Sequence, residues 1–100
     1  MWYIVHMNEL IKELIEKTVA GKLTWTSEVD DLGYPYRYAQ KLDVRVFSQT
    51  ITQGNVVIYR AEGGAALSKL HHAIDAEIEV RERRLEDEAR QSVLAKLRWL

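Results

Sequence analysis

His71, His72 and Asp75 form the one compact group in this chain with metal-ligand or acid–base character. On a helix His71 and Asp75 stand four apart and His72 and Asp75 three apart, so the carboxylate could orient one imidazole. Ser68, four before His72, completes a nominal Ser, His, Asp set on one helical face. Nucleophilic catalysis needs its serine at a strained turn beside an oxyanion hole, and a helix face supplies neither. Metal chemistry needs a third ligand; His6 and Glu62 are candidates that no spacing brings to the helix. Structural or surface histidines are the plainer reading. The expectation is a protein that is not an enzyme, with no catalytic residue, cofactor or metal assigned. A metal-dependent activity at His71, His72 and Asp75 is the weakest of three functional readings.

A second group has recognition rather than catalytic character. Tyr34, Tyr36, Tyr38 and Tyr59 interleave with Arg37, Lys41, Arg45 and Arg60, and sheets that hold single-stranded nucleic acid combine aromatic platforms with basic neighbours. Strict alternation, however, places most of these basic residues on the face opposite Tyr36 and Tyr38. Arg81, Arg83 and Arg84 are surrounded by Glu79, Glu82, Glu86, Asp87 and Glu88, which reads as a solvated zwitterionic face. Gly63-Gly64 precedes a helix but lacks the Lys and Ser/Thr of a phosphate loop, so it reads as a turn.

Composition narrows the classes. One hundred residues suit a single domain with one modest core. Fourteen Lys and Arg nearly balance fifteen Asp and Glu, net −1, so no global field draws the chain to nucleic acid or an anionic membrane. There is no Cys, which removes disulfides and thiolate chemistry and fits a reducing compartment. No apolar run approaches the roughly 20 residues of a membrane span. A soluble, cytoplasmic protein with no membrane partner is expected.

The elements that must position these groups follow from periodicity. Asn8 reads as an N-cap with Glu9 and Glu13 in the early turns; Leu10, Ile11, Leu14, Ile15 and Val19 recur at helical spacing, and Gly21 ends the helix. The six residues from Met1 to His6 read as a strand, an arm or upstream sequence, with Met7 a candidate initiator. Leu23 and Trp25 against Thr24 and Thr26 predict a short strand, with Trp25 anchoring the core between helix and sheet. The acidic stretch from Ser27 to Pro35 reads as a loop in which Asp30 and Asp31 solubilise. Alternation from Tyr36 to Thr50 predicts a strand that kinks near Lys41-Leu42-Asp43, and Thr52-Gln53-Gly54-Asn55 turns it into Val56 to Arg60. Residues 65–100 contain no Gly or Pro and predict one long helix. The fold class is α+β: N-terminal helix, three- to four-stranded antiparallel sheet and long C-terminal helix, in α-β-β-β-α order. Residues 1–100 make one domain, with 8–64 the helix and sheet and 65–100 the helix whose distal part serves association.

That helix carries the strongest functional hint. At about 1.5 Å per residue it would run roughly 50 Å, against a radius of gyration of about 13 Å for a compact chain of this length. Leu67, Leu70, Ile74 and Ile78 form an apolar stripe that is interrupted at Arg81 and Glu82 and resumes through Leu85, Ala89, Val93, Leu97 and Leu100. Residues 77–90 read as a solvated bridge held helical by pairs such as Glu77 with Arg81, Glu79 with Arg83 and Glu86 with Arg90. The apolar tip beyond it needs cover. Leu85, Ala89, Val93, Leu97, Trp99 and Leu100 are the expected self-association residues of a homodimer, in a protein-binding module with an unidentified protein target. Nucleic-acid binding on the Tyr/Arg sheet face is the alternative.

The stretch Leu14-Ile15-Glu16-Lys17-Thr18-Val19-Ala20-Gly21-Lys22-Leu23-Thr24-Trp25 resembles the opening of many small bacterial and phage-encoded α+β accessory proteins, in which an amphipathic helix ends in a KTxxGxLxW-like segment and feeds an antiparallel sheet. The resemblance covers about a quarter of the chain and consists of structural residues. It implies a fold and a mobile-element origin, with a phage or prophage accessory or inhibitor protein acting on a host protein as the corresponding role. It carries over no site residues, and the terminal helix here is longer and more charged than that pattern.

Overall fold

The computed structural model describes residues 2–62, 65 and 67–100, with side chains described from residue 9 onward. Helix α1 spans Trp2–Val19. Strands β1 (Thr26–Val29), β2 (Pro35–Ala39), β3 (Val44–Val46), β4 (Thr50–Gln53) and β5 (Val56–Arg60) follow, then helix α2 over Ser68–Leu97. The five strands form one antiparallel meander in sequence order, so the chain is α+β with one more strand than the upper count expected.

Helix α1 runs straight through Asn8, which is therefore no N-cap; with neither Gly nor Pro before it, each added residue extends the helix by one hydrogen bond. Its C-terminus closes as the sequence predicts. Gly21, at φ +75°, donates to the Thr18 carbonyl at 3.1 Å and Lys22 donates to the Lys17 carbonyl at 2.9 Å, the paired bonds of a Schellman cap. Leu14 is buried with Leu10, Ile11 and Ile15 packed beside it, while Val19 is exposed and Thr18 takes the inward place.

Leu23 and Trp25 precede the sheet instead of forming a strand. The first strand is Thr26–Val29, in what reads as a loop from sequence, and Pro35 opens the second. An edge strand with all four residues exposed has no hydrophobic alternation to betray it. Asp30 does more than solubilise the connection, because its Oδ1 accepts from the amides of Leu32 at 2.9 Å and Tyr34 at 2.8 Å.

The expected kink is a full reset of the strand. Gln40–Leu42 form a short 3-10 helix, and Asp43, at φ 52°, is the one described non-glycine residue in the left-handed region. Pairing then sets Ala39 opposite Val44, Arg37 opposite Val46, and Val46 opposite Ile51. Directly opposed residues share a face. One face therefore carries buried Ala39, Val44, Val46 and Ile51, packed in one core with Leu14 of α1, Leu67 at the start of α2, and Leu70 and Ile74 within it. The proposed hairpin from Val44 to Arg60 resolves into three strands, with a register shift at Ile51/Thr52 that turns Tyr59 toward the core.

Trp25, fully buried, is the keystone of this layer. Its Nε1 donates to Thr18 Oγ1 at 3.0 Å, and that hydroxyl donates on to the Leu14 carbonyl at 2.6 Å. Its backbone amide donates to Glu77 Oε1 at 3.2 Å and its carbonyl accepts from Arg81, which also donates to Glu77 at 3.2 Å. Glu77 and Arg81 are thus part of the globule. The Glu77 side chain is only 9% exposed, and the solvated stretch begins at Glu82 instead of Glu77. Thr18→Val keeps the shape but strands a buried indole N–H, so it is expected to lower stability by about 1–3 kcal/mol. Urea unfolding followed by Trp25 fluorescence measures it, and an unchanged midpoint would refute the role of the hydroxyl.

Candidate functional site

The histidine group does not assemble as a catalytic or metal set. Asp75 Oδ1 accepts from Arg37 Nη2 at 3.0 Å and Nε at 3.3 Å, and Arg37 also donates to Ser27. The carboxylate that could orient an imidazole is therefore tied to β2. His71 is half-buried with an unpartnered Nε2, and His72 is exposed. Among the described residues no group of three or more His, Cys, Asp and Glu is placed to hold a metal ion. Glu62 is exposed, the His6 side chain lies outside the described set, and so do Gly63 and Gly64. Ser68, His71, His72 and Asp75 do line an open cleft of about 510 Å³, together with Tyr36, Arg37 and Phe47.

The open face of the sheet is more organised than alternation predicts. The reset at Asp43 shifts parity by one between β2 and β3, so Tyr38 is paired with Arg45 and the two share a face. This corrects the expected separation of cation from aromatics. The Arg45 guanidinium lies over both rings, 5.3 Å from the centroid of Tyr38 and 5.7 Å from that of Tyr36. Phe47 extends the patch, its ring 5.1 Å from Tyr36. Arg45 is held from the other side by donating to the Gly54 carbonyl at 3.3 Å. Arg60, opposite Thr50, lies on this face, whereas Arg37 and Tyr59 belong to the other. Tyr34 ends the β1–β2 turn and Lys41 sits in the 3-10 helix.

Tyr38 also donates its hydroxyl to Asp43 Oδ1 at 2.9 Å. That hydrogen bond, with partial burial and the nearby negative charge, raises the phenol above its usual range, while Arg45 pulls the other way.

The third surface is the projecting half of α2. The molecule measures 66 × 31 × 23 Å with a radius of gyration of 17.1 Å, well above the roughly 13 Å of a compact chain this long. Every residue from 82 to 100 is exposed. Among the six residues expected to self-associate, Trp99 is 90% exposed and Leu100 wholly so, while Leu85, Val93 and Leu97 are each more than half exposed. Leu85, Ala89, Val93 and Leu97 recur every four residues, a strip inclined gently to the axis. Arg83 pairs with Glu79, Arg84 with Glu88 at 3.9 Å and Arg90 with Asp87 at 3.0 Å; the Glu86 to Arg90 pair expected from spacing is not formed. No helix among the described residues is long and apolar enough to cross a membrane.

A phenol whose folded value is raised contributes stability that is complete below its unfolded value near 10 and is lost as pH climbs through the folded one. Asp43→Asn removes the charge and is expected to bring the Tyr38 titration back toward ordinary tyrosine. Tyrosinate absorbance during an alkaline titration reports it; coincident curves for both proteins would show that Asp43 does not hold the phenol.

Comparison with protein-family models, with curated proteins and with solved structures returned no match, so the reading of function rests on these surfaces.

Proposed function

We propose that this protein is a non-enzymatic interaction module that forms a homodimer through the projecting part of α2, using Leu85, Ala89, Val93, Leu97, Trp99 and Leu100. The supporting observation is an unbroken helix that leaves its globule with an apolar strip in water. Single exposed leucines are ordinary on protein surfaces; six large apolar side chains exposed beyond residue 84, Leu94 among them, are the kind of concentration that marks association. Completing the burial of each recovers a fraction of about 1.5–3 kcal/mol, and a twofold pair does so from both chains at once. Such a dimer presents two globules, and two aromatic sheet faces, to a protein target. Action on a host protein as a phage or prophage accessory or inhibitor, in a reducing cytoplasm that suits a chain without Cys, is the role that fits this size and the resemblance at residues 14–25. Sedimentation or light scattering at tens of micromolar is expected to give twice the chain mass, and Val93→Asp with Leu97→Asp is expected to give the monomer with an unchanged globule. A monomeric parent protein at that concentration would sink the proposal.

A second reading is favoured by one observation, the Arg45 guanidinium lying over Tyr36 and Tyr38 on the face that no helix covers. Two rings in a row with Arg45 over them suit stacking of unpaired bases. Single-stranded oligonucleotides are then expected to bind at low salt, with affinity falling as salt rises and lost in Arg45→Ala. No binding at low salt would eliminate this reading.

A further inference from the structure

We infer that the two α2 helices of the dimer pair antiparallel over residues 82–100, with the twofold axis at the level of Gln91. This rests on the dimer proposed above and adds its direction and register. Two independent patterns in the projecting segment converge on it.

The first pattern is charge. Counting side chains, residues 82 to 88 hold four carboxylates against two arginines, net −2, and residues 89 to 100 hold Arg90, Lys96 and Arg98 with no Asp or Glu, net +3. Neighbouring ion pairs along the helix occupy Arg83, Arg84 and Arg90 with Glu79, Glu88 and Asp87. Among the described residues, Glu82 and Glu86 have no cationic partner, and neither Lys96 nor Arg98 has an anionic one. The unmatched carboxylates all lie near the globule and the unmatched cations all lie near the tip. A parallel pair would set like against like, whereas an antiparallel pair sets each half against its complement.

The second pattern is the strip itself. Leu85, Ala89, Val93 and Leu97 are symmetric about Gln91, so reversing one helix places Leu85 opposite Leu97 and Ala89 opposite Val93. The same register brings Glu86 and the other copy's Arg98, each one residue beyond a strip leucine, to the same margin of the strip, where interhelical ion pairs select orientation. Leucines then meet leucines at both ends and the two smallest strip residues lie nearest the axis.

The chain has no Cys, which makes disulfide trapping clean. Leu85→Cys and Leu97→Cys are prepared separately, oxidised alone and as an equimolar mixture, and sedimentation records the mass of each. In the antiparallel pair, like cysteines lie about 18 Å apart along the axis, far beyond disulfide reach, so the mixture is expected to cross-link and each protein alone is not. Cross-linking of each alone would show a parallel pair and overturn the inference while leaving the dimer. A dimer with no cross-link in any sample would place the interface elsewhere and overturn it too. A monomeric parent chain would remove the dimer itself. Because a cysteine can weaken the strip, a charge exchange provides the second test: Glu86→Arg and Arg98→Glu are each expected to weaken dimerisation several-fold, and both together to restore it. No recovery in the double variant would overturn the register.

Discussion

Trp25 is the point at which the two helices and the sheet of this protein are tied together. A tryptophan with no solvent exposure must pair its indole N–H, and it does so with Thr18, whose hydroxyl is in turn committed to the carbonyl of Leu14 within α1. The residue also stands just before the sheet, so its own amide and carbonyl have no strand partner. Side chains of α2 supply one, through Glu77 and Arg81. The side chain and the backbone N–H and C=O of one residue thus tie together the end of α1, the start of β1 and the turn at which α2 leaves the globule. Glu77 is the more exacting half of this arrangement. A largely buried carboxylate requires charge-assisted hydrogen bonds to be tolerated, and it receives two on Oε1 while Oε2 remains unpartnered.

A single left-handed residue plays the corresponding part within the sheet. Asp43 lets the chain insert a 3-10 turn between β2 and β3 without losing their pairing. Side chains alternate with a period of two, so shifting the register by an odd number of residues exchanges every side chain between faces. The exchange puts Val44 and Val46 under the helices and lifts Arg45 onto the tyrosines. Core and outer surface were therefore established by the same local event, and the Asp43 carboxylate, bonded to the Tyr38 hydroxyl, braces both.

The projecting half of α2 obeys a different balance. Beyond Arg81 none of the described residues covers it, so its helical form depends on good helix formers and neighbouring ion pairs, each worth only about 0.2–0.5 kcal/mol. Such pairs keep a rod rigid without giving it a place to dock. Its apolar strip and its segregated charges are then surplus to folding. They are the properties by which the helix can choose a partner and an orientation.

Much of this was legible in the residues themselves. The Schellman cap at Gly21, the break near Lys41 to Asp43, the turn at Gly54 and the uninterrupted helix after Leu67 all follow from local chemistry, because glycine, aspartate and the absence of proline act on the backbone where they stand. Other features were not legible. The strand Thr26–Val29 has no buried face and hence no alternation. The ties of Asp75 to Arg37 and of Glu77 to Trp25 span 38 and 52 residues, and no spacing along a helix predicts which carboxylate will be claimed from outside it. By itself the sequence determined the order of elements, the strip on α2 and the sorting of its charges, since these depend on near neighbours. Only the tertiary structure decided which side of the sheet Arg45 would share and where α2 parts from the globule, because both are outcomes of register and burial between segments far apart in the chain.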